Sequence, residues 1–329
     1  MQRRTFITAS LGGAASLMGA CRPLPGAIER QGDLYTGAAL MFGTTVTVAL
    51  YHADGKQAEL AIEDAFHEAR RVDKLMSIYD AQSQVAMLNR DGVIGKPDRH
   101  LLTVLQQARA LSVLTKGAFD ITVQPLWQAC NEAKGGMPAQ SDRLKAQSKV
   151  NWARVESTPD MVHLLKPGMQ ITLNGLAQGY AADLATAALR ARGVDHALID
   201  TGEFSARGHR PDAAWTLGVA DPREAGALVT TMRLDGRSAA SSADYEASFT
   251  SDFVHHHIFD PATGCSPQEL ASVTVLAPSA ILADGLSTAC MVLGAKKSHA
   301  LAARLPGVDL MTINKRGVVW KSPGFPTAA

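Results

Sequence analysis

Residues 171–208, ITLNGLAQGYAADLATAALRARGVDHALIDTGEFSARG, constrain the fold more than any other stretch of the chain. A short β-branched run, Ile171-Thr172-Leu173, breaks at Asn174-Gly175, and a helical pattern opens near Ala177. Apolar residues then recur at Ala177, Ala181, Leu184, Ala188 and Leu189, which is helix spacing. Gly193, following Arg190 and Arg192, is a normal helix stop. A second apolar run, His196-Ala197-Leu198-Ile199, ends at Thr201-Gly202, so strand, glycine turn, helix and strand predict a βαβ-like unit. The helix N-terminus directs free N–H groups and a partial positive charge at whatever lies by Gly175, which favours an anion there. Physics alone leaves that anion unidentified, and glycine-opened helices also serve as plain structural turns.

Two further segments bear on this turn. His257-Ile258-Phe259-Asp260-Pro261-Ala262-Thr263-Gly264 is a polar turn after an apparent strand. Ala283-Asp284-Gly285-Leu286-Ser287-Thr288-Ala289 lies inside an otherwise apolar helix, with Ile281, Leu282, Leu286, Val292 and Leu293 around it. Asp284 and Thr288 are four residues apart and project from one helix face. A buried carboxylate is costly unless paired or bound to a cation. A carboxylate and a hydroxyl on adjacent turns suit Mg²⁺ that also binds phosphates. The alternative is an Asp paired with an Arg and a Thr bonded back to its own helix.

Composition fits a folded enzyme. Of 329 residues, 46% are hydrophobic and 19% charged, ample for one large core or two small ones. A net charge of +1 without a Lys/Arg cluster argues against a nucleic-acid partner. The four cysteines show no C-x-x-C spacing, which argues against a zinc site or a disulfide framework; one disulfide among Cys130, Cys265 and Cys290 stays open. At the start, Arg3-Arg4-Thr5-Phe6-Ile7 and the apolar run 11–20 read as a twin-arginine export signal, too short to span a bilayer. Met18-Gly19-Ala20-Cys21 resembles a lipobox with an unusual first residue. Lipidation of Cys21 or cleavage near Ala20 then leaves a periplasmic protein, lipid-anchored in the first case.

Along the chain, Arg22–Gly32 reads as tether, Ala38–Tyr51 as a strand, and Glu59–Met76 and Leu101–Lys116 as helices. Asn131–Gln147, with Gly135-Gly136 and Pro138, reads as a long surface loop, and Arg207–Pro211 as a turn. Strands mixed with helices, rather than strictly alternating with them, predict an α+β fold.

Six motifs in one order carry a resemblance: MFGT (Met41–Thr44), SIY (Ser77–Tyr79), GAFDITVQPLW (Gly117–Trp127), LNGLAQGYAAD (Leu173–Asp183), HIFDPATG and ADGLSTA. Together they resemble the ApbE family of FAD:protein FMN transferases over residues of about 38 to 320. TLNGLAQGY with FDITVQPLW is most similar to the branch that accompanies nitrous oxide reduction. The resemblance implies a single α+β catalytic domain over 38–322, after a signal at 1–20 and a tether at 21–37, with FAD in a cleft between its halves. It implies that FMN passes from FAD to a Thr or Ser of an acceptor flavoprotein, with release of AMP. That acceptor would be a membrane protein of a respiratory or nitrous-oxide system. A Mg²⁺-dependent FAD pyrophosphatase and a non-catalytic flavin-binding assembly factor are the alternatives.

The resemblance also assigns roles. Asp284, Thr288 and the Gly175 carbonyl match the metal ligands. Met41, Phe42, Tyr79, Ala118, Phe119, Asp120, Thr172, Gln178 and Ile258 fall where family members hold FAD, with Asp120 accepting from ring or ribose donors. His257 is placed to contact phosphate or to deprotonate the acceptor hydroxyl, whereas His255 and His256 are expected at the surface. Asp260 is expected to organise the Pro261–Gly264 turn. Departures from the pattern are Thr172 where many members have Asp, Gln178 where they have a charge, Phe42 between Met41 and Gly43, and Ala243 in place of a glycine. Ala243 lacks glycine's freedom at positive φ, so the turn there is expected to differ.

Overall fold

The computed structural model describes residues 7–9, 26–133 and 137–327. In chain order the strands are β1 (Ile7–Ala9), β2 (Ile28–Gln31), β3 (Leu34–Met41), β4 (Thr44–Tyr51), β5 (Val93–Gly95), β6 (Val155–Ser157), β7 (Met161–Leu164), β8 (His196–Asp200), β9 (Phe204–Arg207), β10 (Thr216–Ala220), β11 (Leu228–Arg233), β12 (Ser238–Ala243), β13 (Leu270–Ala277), β14 (Asp309–Asn314) and β15 (Val319–Lys321). The helices are α1 (Gly55–Met76), α2 (Gln84–Asp91), α3 (Arg99–Leu114), α4 (Gln124–Glu132), α5 (Gln140–Gln147), α6 (Ala177–Ala191) and α7 (Ala280–Ala302). Nine strands form one antiparallel sheet in the order β15-β14-β13-β12-β9-β8-β4-β3-β2, and the triplets β1-β10-β11 and β5-β7-β6 form two small sheets. The α+β expectation holds.

Alternation along the central strands explains the layers. In β8, Ala197 and Ile199 enter a core shared with α1, α3, α6 and α7, while Leu198 enters a second core shared with Trp215, Leu217 and Val219. Strand β13 is buried along its whole length because Val273 and Val275 face the helices and Leu276 faces the other core. Helices therefore cover one face of the main sheet and the β10–β11 hairpin covers the other.

Several sequence expectations change. Ala38–Tyr51 is a hairpin rather than one strand: Met41 pairs with Thr44 across a two-residue turn in which Phe42 has φ +54° and Gly43 φ +70°. The tether assigned to 21–37 runs into β2 and β3, so the folded body begins before residue 38. Strand β2 is polar and lies at the sheet edge, which left no alternation to read. Ile171–Leu173 forms no strand and lies outside every sheet. Asn89 exchanges two hydrogen bonds with the Ile171 backbone (2.7 and 2.8 Å), and Thr172 N–H donates to the Ile121 carbonyl (2.8 Å). The expected βαβ unit is thus loop, helix and strand. Gln140–Gln147, expected as loop, is helix α5; it buries only Ala146 and so lacks an apolar stripe. Ala243 lies in β12 opposite Ser272 and not among the positive-φ residues, so its lack of glycine freedom does not matter. Arg3, Arg4 and Cys21 fall outside the described residues.

Candidate active site

The site is built where α6 meets α7. A Cβ on Gly179 would lie 2.4 Å from the Ala280 carbonyl oxygen, so only glycine permits this crossing. Ser279 caps α7 without a side-chain bond. Its place is taken by Asp183 of α6, whose carboxylate accepts from Ala280 N–H (2.7 Å) and Ile281 N–H (3.0 Å). Burial pushes the Asp183 carboxyl above the usual carboxylate range, against the pull of those two bonds. In the other direction, Asp284 of α7 accepts from Gly179 N–H in the first turn of α6 (3.1 Å). Asp284 is only 4% exposed, as its helix pattern predicts.

Thr288, one turn beyond Asp284, reaches the loop before α6. A Cβ on Gly175 would stand 2.9 Å from Thr288 Oγ1 and 3.6 Å from Phe119 Cε2. Glycine therefore lets the backbone approach a space that the Thr288 hydroxyl faces. Among the described residues, no three His, Cys, Asp or Glu side chains could hold a metal ion. Instead, the Asp284 carboxylate at Gly179 N–H and the Thr288 hydroxyl facing Gly175 lie one turn apart on α7, and both are hard oxygen donors. Behind them, Ser242 Oγ of β12 lies 2.7 Å from Ser287 Oγ and 3.4 Å from Thr288 Oγ1.

The residues matched to FAD fall into three groups. Phe119 and Gln178 lie beside the Gly175 turn and the start of α6. Phe119 is buried with its N–H on Thr115 Oγ1 (3.0 Å), and Gln178 Nε2 donates to the Thr201 carbonyl (2.5 Å) beneath Gly202. Thr172 joins this group through its bond to Ile121, and half-buried Ala118 precedes Phe119. Met41 and Ile258 are buried core residues, and Phe42 sits half-buried at the hairpin turn. Tyr79 is 76% exposed, its N–H on Ser77 Oγ. Asp120 is also tied into the fold: its carboxylate accepts from Thr122 N–H (2.8 Å), Thr122 O–H (2.6 Å) and Trp152 N–H (3.0 Å). It organises the turn that carries Phe119, and burial raises its pKa.

His257 is carried by a narrow arch. Phe249 N–H donates to the His255 carbonyl (2.7 Å) and His257 N–H to the Ala247 carbonyl (2.9 Å), so Glu246 comes to 3.9 Å from His257 Nε2. The fully buried Asp244 fixes the foot of the arch through a two-pronged pair with Arg223 (2.8 and 2.7 Å). Lys315 Nζ holds its tip at the Phe253 carbonyl (2.7 Å). Successive histidines do alternate, but His256 is the buried one and not a surface residue. Its N–H donates to Ser266 Oγ, and burial lowers its pKa to about 4. Asp260 organises its turn as expected, accepting from Ala262 N–H (2.9 Å). Sequence reasoning missed Asp183, Glu246 and the Ser242–Ser287 pair. Asp183 and Ser287 stood inside quoted motifs, whereas nothing in the spacing marked Glu246.

Known proteins share this sequence pattern and this fold. The model of the ApbE family matches residues 42–312. The FAD:protein FMN transferase of Treponema pallidum (strain Nichols) is 30% identical over 309 residues, covering 85% of this chain and 84% of its own. That of Klebsiella pneumoniae (strain 342) is 29% identical, covering 88% and 92%. Among solved structures, the ApbE protein of Thermotoga maritima superposes with a TM-score of 0.79 at 27% identity, covering 88% of this chain and 97% of the other. The flavinyl transferase ApbE of Pseudomonas stutzeri gives 0.77 at 28%, covering 91% and 97%. On fold and sequence together, the chain belongs to the ApbE family.

Proposed function

We infer that the protein moves the FMN portion of FAD onto a threonine or serine hydroxyl of an acceptor flavoprotein, the activity named for its Treponema and Klebsiella relatives. The observation that supports this reading is that α7 sets Thr288 against Gly175 and Asp284 against Gly179, on either side of the start of α6. The acceptor oxygen forms a bond to the FMN-side phosphorus of the pyrophosphate, the bridging P–O bond breaks, and AMP leaves. The hydroxyl proton passes to a base, the role we give to His257. Such transfers depend mainly on positioning and charge neutralisation. The Gly175 carbonyl, Asp284 and Thr288 would hold Mg²⁺, which when bound neutralises charge on the pyrophosphate oxygens. The cradle that a Cβ at Gly175 would fill, together with the all-oxygen donor set, supports that fit.

Incubating the protein with FAD, Mg²⁺ and a candidate acceptor separates the possible activities. Flavin fluorescence on the acceptor band of a denaturing gel supports transfer. Free FMN plus AMP means hydrolysis, and unchanged FAD means binding alone.

The same proposal places the mature protein in the periplasm after twin-arginine export, lipid-anchored through Cys21. Its acceptor would be a membrane flavoprotein of a respiratory or nitrous-oxide system. Among the described residues no helix is long and apolar enough to cross a membrane. Changing Arg3 and Arg4 together to Lys should leave the precursor in the cytoplasm, and Cys21→Ser should release a soluble periplasmic form. Export of the Lys pair, or unchanged membrane association of Cys21→Ser, would count against the corresponding part.

A further inference from the structure

Three hydroxyls behind the site can be ordered in only one way. Ser287 Oγ donates to the Asp284 backbone carbonyl (2.8 Å), which has no proton to return. A serine carries a single hydroxyl proton, so the 2.7 Å contact between Ser242 and Ser287 must be a donation from Ser242. Ser242 has then used its own proton and can only accept from Thr288 Oγ1 at 3.4 Å. The hydrogen bonds therefore run from Thr288 through Ser242 and Ser287 to the Asp284 carbonyl.

This order matters because of what Thr288 would otherwise do. A helical threonine commonly turns its hydroxyl back to the carbonyl four residues earlier, and here that carbonyl belongs to Asp284. The Ser287 hydroxyl occupies it, alongside the ordinary helical bond from Thr288 N–H. With its proton drawn towards β12, Thr288 Oγ1 keeps its lone pairs for the space beside Gly175. Ser287 is fully buried and Ser242 is 7% exposed, so water does not readily substitute for either link.

We propose that Ser242 is a positioning residue that aims the Thr288 hydroxyl as a ligand for a divalent cation. The inference rests on the metal reading of Asp284, Thr288 and Gly175 given above. It gives Ser242, on the neighbouring strand β12, a defined task at the site. Outer partners of metal ligands typically contribute about 10–100-fold in affinity.

Isothermal titration of the purified, cation-free protein with Mn²⁺ alone tests it. Ser242→Ala should weaken Mn²⁺ binding by about 10-fold or more, with the melting temperature of the cation-free protein unchanged. Should alanine lower that temperature, Ser242→Cys, similar in size but a poor acceptor, gives the same reading. Thr288→Val should weaken binding at least as much, and adding Ser242→Ala to it should cause no further loss. Near wild-type affinity in Ser242→Ala, with Thr288→Val weakened, would overturn the positioning role and leave the metal site standing. Losses that add in the double variant would show that Ser242 acts on the fold and not through Thr288. Wild-type affinity in both Thr288→Val and Asp284→Asn would remove the metal reading itself, and this inference with it.

Discussion

Asp183 and Asp284 cap each other's helices. Asp183 stands on α6 and holds the first two N–H groups of α7, while Asp284 stands on α7 and holds Gly179 N–H in the first turn of α6. The two carboxylates differ in what else they face, since only Asp284 shares its helix face with Thr288 and the Gly175 turn. Asp183→Ala should therefore cost about 1–2 kcal/mol of stability, the scale of a lost helix cap, measured by urea denaturation. Asp284→Asn keeps an oxygen for Gly179 N–H, so its stability should stay within about 0.5 kcal/mol of wild type, while transfer at limiting Mg²⁺ is lost. Near-normal transfer by Asp284→Asn would reduce Asp284 to a cap.

Stability should fall in mild acid because of His256. Burial holds its folded pKa at about 4, below its ordinary value of 6.5. The folded protein then binds fewer protons at this residue than the unfolded chain. Its contribution is present above pH 6.5 and is lost as the pH falls through the window towards 4. The full loss is about 3 kcal/mol. His256→Gln keeps a donor for the Pro267 carbonyl without titrating, so urea midpoints of this variant should change less between pH 7 and 4.5 than those of wild type. Parallel curves for the two proteins would show that His256 is not the group responsible.

His257→Asn separates a base from a phosphate contact. If His257 takes the acceptor proton, single-turnover transfer at saturating FAD should drop by about 10²–10⁴, with FAD affinity kept within a few-fold. If it touches phosphate in the ground state, affinity and rate fall together. Wild-type rates would take His257 out of the site, leaving the arch of Glu246–His257 as a surface feature.

Local pattern made some of this legible and distance along the chain hid the rest. The i, i+4 pair Asp284 and Thr288 could be read because a helix fixes which side chains share a face. Gly175 marked a turn, but its approach to Thr288, more than a hundred residues later, depends on how α6 crosses α7 at Gly179. Ile171–Leu173 has the composition of a strand, yet the Asn89 amide pairs with its backbone where a neighbouring strand would. The motif marked Asp120 for a ligand but did not show its part in the fold, where its carboxylate accepts from Thr122 and from Trp152, thirty-two residues on. Alternation told the three histidines apart in pairs but not which side was buried, which Ser266 and Pro267 decide.

The central claim is tested most directly by counting products. With the protein, FAD, Mg²⁺ and a candidate acceptor flavoprotein together, AMP released and FMN covalently bound to the acceptor should rise in a one-to-one ratio. Changing the acceptor's flavinylated Thr or Ser to a residue without a hydroxyl should abolish the bound flavin. AMP matched by free FMN, with none on the acceptor, would contradict transfer and make the protein a hydrolase of FAD.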